Sequence, residues 1–135
     1  MADIEKNILQ VKKDIEESES LFCREKNSVM LIAVSKTHSV EKIKKAYSAG
    51  QSDFGENYLQ ESIEKIEKLR DFNINWHFIG SVQSNKAKQI SHNFDWVHSI
   101  DKLKTLEKIN QHRRDLNKKI NICIQVNIDQ EDSKS

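Results

Sequence analysis

Proline is absent from the 135 residues, glycine occurs 3 times and cysteine twice. The missing proline, beside heavy use of Lys, Ile and Asn, reads as a composition bias that carries no chemistry. The scarcity of glycine goes with two missing motifs. No GxGxxG follows the first predicted strand, so a dinucleotide site is unsupported, and no GxxxxGK[ST] exists to form a P-loop. The cysteines, Cys23 and Cys123, form no CxxC and stand far apart. They read as free thiols, which predicts an intracellular, cytoplasmic protein.

Charge of one sign is missing as well. Lysines and arginines number 22 and acids 21, for a net charge of +1. That balance makes no electrostatic case for nucleic acid or an anionic membrane. No apolar run approaches the roughly 18 residues of a membrane span. The polar, periodic start, Met1-Ala2-Asp3-Ile4-Glu5-Lys6, is not a signal peptide. His38, His77, His92, His98 and His112 do not fall into metal-ligand spacing, and no HExxH appears, so no metal site is expected. The length suggests one domain.

What the chain does have is alternation. Ile4, Ile8, Val11 and Ile15 recur at helical spacing behind a capping Asp3, which predicts a helix at about 3–20. Leu21 and Phe22 are expected to anchor its end. Strands are predicted at 29–36, 52–57, 76–80, 95–100 and 120–128, with helices between them. Ser39, Ser84 and Asp101 are expected helix caps, and Gly50 suits a left-handed helix end. Leu103, Leu106, Ile109 and Leu116 are expected to face inward from the last helix. Repeated strand–helix units argue for a parallel sheet, either doubly wound or a (β/α) barrel. The last strand alternates Ile120, Ile122, Ile124, Val126 and Ile128 with Asn121, Cys123, Gln125 and Asn127. That pattern fits a barrel strand with a polar inward face, or an edge strand with one wet face.

The first strand holds the main chemical candidate. Val29-Met30-Leu31-Ile32-Ala33-Val34 is one apolar run, read as buried on both faces, and it leads into Ser35-Lys36-Thr37. Parallel α/β folds place their chemistry at the carboxyl ends of strands. A lysine there is a candidate Schiff-base nucleophile, since desolvation favours the free amine. On position alone, a surface lysine just past a strand is the competing reading. Asn57 follows Gly55-Glu56 at another strand end, where it can bind a ligand or cap the next helix.

Five motifs, in order, resemble one family. They are Ala33-Val34-Ser35-Lys36-Thr37; Phe54-Gly55-Glu56-Asn57-Tyr58; Trp76-His77-Phe78-Ile79-Gly80 with Gln83-Ser84-Asn85-Lys86; Val97-His98-Ser99-Ile100-Asp101; and Gln125-Val126-Asn127-Ile128 with Glu131 and Ser133-Lys134. Together they resemble the pyridoxal phosphate homeostasis proteins, single-domain relatives of the alanine racemase barrel. The resemblance implies an α/β fold, a partial TIM (β/α) barrel of the alanine racemase amino-terminal type. It implies pyridoxal 5′-phosphate held by Lys36 as an aldimine, with Asn57 beside the cofactor. It implies a role in vitamin B6 homeostasis without established turnover, and transient contact with apoenzymes that use the cofactor. A racemase-like enzyme or a ligand-free fragment are the alternatives. A whole barrel of this type needs roughly 200–250 residues. The family's phosphate-binding Ser and Gly residues, and an arginine at the pyridine nitrogen, belong to its last two strands. The chain is therefore expected to be an incomplete barrel.

Overall fold

The structure, a computed structural model, describes residues 3–128. Glu131 and Ser133-Lys134 lie outside the described residues. Helix α1 (Ile4–Leu21) begins after Asp3, whose carboxylate accepts the Lys6 amide at 3.0 Å. Ile4 and Ile8 pack on the core. The other end differs from expectation, because Leu21 and Phe22 are 75% and 74% exposed. Glu19 does the anchoring instead. Its buried carboxylate accepts the amides of Asn27 and Val29 at 2.9 and 2.8 Å.

Strand β1 (Ala33–Val34) is shorter than the predicted 29–36. Ala33 and Val34 pair in parallel with Phe54 and Gly55 of β2 (Asp53–Glu56). β1 is an edge strand, so Val29, Met30 and Val34 stay exposed and the run is not buried on both faces. Helix α2 (Val40–Ser48) starts at Ser39, whose hydroxyl accepts the Lys42 amide. It buries Ile43 and Ala46 and ends ahead of Gly50 at φ 83°. Helix α3 (Leu59–Lys68) leads to β3 (Asn75–Phe78). A short 3-10 turn (Ser84–Lys86) precedes α4 (Ala87–Asn93), then β4 (Trp96–Ile100), α5 (Leu103–Arg114) and β5 (Asn121–Ile124).

Ser84 and Asp101 do not cap. Gln83 and Lys102 occupy the positions before those helices, and neither makes a side-chain cap bond. On α5, Ile109 is buried and Leu106 half-buried, but Leu103 at its first turn is exposed, and Leu116 lies past the end of the helix and is exposed too. That helix packs on α4 and β4 at the margin of the sheet, so only part of its apolar stripe finds cover.

Among the described residues the sheet runs β1-β2-β3-β4-β5, with every neighbouring pair parallel. A helix spans each crossover, as parallel pairing requires. Sequential parallel order is the order of a (β/α) barrel, here an open arc. Phe54, Trp76 and Glu56, Phe78 pair in register and share one face of the sheet. Phe54, Phe78 and Val97 join Ile43, Leu59, Ile90 and Ile109 in one core. β5 is the other edge strand. Ile120 and Ile122 pack on the core, while Ile124, Val126 and Ile128 are exposed.

Candidate functional site

Lys36 and Asn57 each lie two residues past the Val34–Gly55 pair, at the carboxyl ends of adjacent strands. The Ser35 carbonyl accepts the His38 amide at 3.0 Å, closing a turn with Lys36 and Thr37 at its corner. Thr37 has φ 63°. Positive φ at the third turn position is the type II pattern, which normally takes glycine. A β-branched residue there is strained by roughly 1–3 kcal/mol. Lys36 is exposed, so burial does not strip its water as the sequence suggested.

Asn57 does not cap α3. Tyr58 holds that position and makes no side-chain cap bond. The Asn57 carboxamide oxygen is buried and lacks a hydrogen-bond partner among the described residues. Gly80, two residues past β3, packs on the Asn57 backbone so closely that a Cβ there would collide with the Asn57 carbonyl. The ends of β1, β2 and β3 thus converge.

Behind the Lys36 turn lies a buried ionic cluster. Glu56 is fully buried and Lys65 is 6% exposed. Lys65 Nζ donates to Glu56 Oε1 at 2.9 Å, to the Ser35 carbonyl at 2.8 Å and to Glu61 Oε1. Ser35 Oγ donates to Glu56 Oε1 at 2.6 Å, and the Thr37 amide donates to Glu61 Oε1 at 2.7 Å. Lys65, and after it the Thr37 amide, hold the Glu61 carboxyl below its ordinary value against the opposing pull of desolvation.

A second polar array crosses the opposite face of the sheet. Asp53 Oδ1 and His77 Nε2 are 2.9 Å apart, as are His77 Nδ1 and His98 Nε2. His77 is fully buried and stacks on Trp96, with ring centroids 5.4 Å apart. Desolvation, and then the neighbouring His77, push the His98 imidazole below its ordinary value.

Residues 3–131 match the family model for the alanine racemase N-terminal domain. The chain belongs to that family. Within it, the chain is 46% identical to a pyridoxal phosphate homeostasis protein of Pasteurella multocida over 98% of its own length, and 44% identical to one of Pseudomonas aeruginosa over its whole length. It spans 58% and 59% of those two proteins. They are named as homeostasis proteins rather than as enzymes. Among solved structures, PipY of Synechococcus elongatus with PLP bound superposes with a TM-score of 0.74 at 40% identity, covering 86% of this chain and 55% of that one. The form without PLP gives 0.76, covering 89% and 56%. These matches agree with the (β/α) arc and with the resemblance carried by the five motifs.

The sequence pointed to Lys36 and Asn57, and the fold brings their strand ends side by side. It did not point to Lys65. Two signals stood in plain view: Glu61 and Lys65 are one helical turn apart, and Lys65 falls on the same buried face as Leu59 and Ser62. A lysine inside a buried stripe needs partners, and these lie 9 and 30 residues away. The Asp53–His77–His98 array was missed for the same reason, since strand register alone aligns it.

Proposed function

We propose that this chain carries the amine-bearing site of a pyridoxal 5′-phosphate homeostasis protein. In this reading Lys36 binds the cofactor, Asn57 lies beside it, and the cofactor is held and released without turnover of a substrate. Apoenzymes that use the cofactor receive it by transient contact inside the cell. The observation that supports the reading most is the pairing of an exposed Lys36 with the unpartnered Asn57 oxygen on neighbouring strand ends. PLP bound in PipY, a relative with this fold, supports the choice of ligand.

The residues present fit the cofactor at this end. A buried carboxamide oxygen without a partner is costly, and a ligand that donates a hydrogen bond removes that cost. When bound, the cofactor supplies an aldehyde that condenses reversibly with a primary amine. The chain supplies the rest. Lys36 presents its amine at a turn corner where small molecules reach it. Asn57 offers an acceptor one strand away. Gly80 lets the β3 end approach the Asn57 backbone without a side chain between them.

Titration with equimolar pyridoxal 5′-phosphate and, in parallel, with pyridoxine 5′-phosphate tests the reading. The second compound has an alcohol in place of the aldehyde. The expected result is a new visible absorbance with the aldehyde alone, reversed by dialysis and lost in Lys36→Ala. Equal absorbance from Lys36→Ala would overturn it.

A further inference from the structure

The cofactor reading uses Lys36 and Asn57 and leaves the buried cluster behind them without a task. We propose that Lys65, with Glu56 and Glu61, fixes the 35–38 turn so that the Lys36 amine leaves the sheet in one direction. These three are positioning residues, and the inference rests on Lys36 being the cofactor amine.

The cluster and β2 grip the turn at four points. The Ser35 amide donates to the Gly55 carbonyl at 2.9 Å, and the Ser35 hydroxyl to Glu56 at 2.6 Å. The Ser35 carbonyl takes Lys65 Nζ at 2.8 Å, and the Thr37 amide reaches Glu61 at 2.7 Å. The grips fall on both sides of Lys36 and leave its own side chain unhindered. They come from two elements, β2 through Gly55 and Glu56, and α3 through Glu61 and Lys65. The backbone that carries Lys36 is therefore referenced to the sheet and to the helix at once.

The choice of residues supports a positioning role over a packing role. An ammonium and a carboxylate as buried as Lys65 and Glu56 cost desolvation, and apolar residues of similar volume commonly serve stability as well or better. An apolar side chain at 65 would fill the space but could not hold the Ser35 carbonyl. The turn also needs holding. Thr37 has an unfavourable positive φ, and the carboxylate on its amide opposes relaxation to a more extended backbone. A reactive group on a corner that could relax would sample many directions, and misplacement by about 1 Å costs on the order of 100-fold in well-oriented reactions.

The test compares the parent chain with Lys65→Met, the double variant Glu56→Gln with Lys65→Met, and Glu61→Ala. The double variant removes both buried charges together, so it folds even where Lys65→Met alone leaves Glu56 buried and unpaired. Ile90→Val, a core change on α4, serves as a control for lost stability. Each is treated with pyridoxal 5′-phosphate, reduced with borohydride and peptide-mapped for the share of label on Lys36. Hydrogen exchange at the Thr37 amide is measured without cofactor. The proposal expects the Lys36 share to fall about tenfold in the folded cluster variants and to stay at the parent level in Ile90→Val. It expects Thr37 exchange to quicken in Glu61→Ala and in the double variant. Parent-level labelling and unchanged Thr37 exchange in those two variants would overturn it. If the parent itself shows no preference for Lys36, the cofactor reading fails. The exchange rates then still decide whether the cluster holds the turn.

Discussion

Thr37 stands where a glycine would sit without strain, in a chain that has only 3 glycines. Thr37→Gly therefore removes a steric cost of roughly 1–3 kcal/mol and adds unfolded-state entropy worth about 0.5–1 kcal/mol. The expected outcome in urea unfolding is unchanged or higher stability, by up to about 2 kcal/mol. A loss of more than about 1 kcal/mol would show that the threonine side chain, not its backbone, stabilises the turn. The same residue shows what a sequence conceals. The strand-end positions of Lys36 and Asn57 were legible from an apolar run and a Gly-Glu-Asn segment, whereas their roles toward a cofactor rested on the resemblance. The positive φ at Thr37 was not, because no residue near it favours that conformation. It goes with a turn whose Thr37 amide is held by a carboxylate 24 residues away.

Strands β2, β3 and β4 are tied by the Asp53–His77–His98 array as well as by their ladders. His98 lies below its ordinary value, first through desolvation and then through His77. The sign follows from linkage. The folded state binds the His98 proton less readily than the unfolded chain does. Its stabilising share is complete above the unfolded value of about 6.5, and it is lost as pH falls from there through the folded value. Chemical denaturation between pH 7.5 and 5 is expected to show stability falling with acid. The slope should flatten in His98→Asn, which keeps a polar side chain without that titration. An identical slope in the variant would remove His98 from the account. At this scale, legibility followed the range of the interaction. Asp3 and Ser39 cap within three residues and were readable. β1 shrank to Ala33 and Val34 because strand length depends on a neighbour, and the sheet gives it one on a single side. Leu103 and Leu116 looked like core by spacing alone, but Leu103 stays exposed at the first residue of α5, and the helix ends at Arg114, ahead of Leu116.

Across the whole described arc, both sheet edges are open and apolar side chains remain uncovered. Val34 is 48% exposed, and Ile124 and Val126 are each 71% exposed. Open edges and exposed apolar residues favour association. Sedimentation of these 135 residues is expected to show apparent mass rising with concentration, with binding of an apolar-surface dye. A monomer at all concentrations, unfolding in one sharp transition, would mean that the edges are covered in a way the arc does not show. The parallel order of the sheet was legible from strand–helix alternation, and length against the needs of a barrel made an unclosed arc of five strands the expected form. The functional claim comes down to one amine among many. Borohydride reduction of the chain with pyridoxal 5′-phosphate, followed by peptide mapping, tests it most directly, with PipY of Synechococcus elongatus, solved with PLP bound, run in parallel. The account predicts that label concentrates on Lys36, and that Lys36→Ala leaves only scattered label on surface lysines. Equal labelling with and without Lys36 would contradict it.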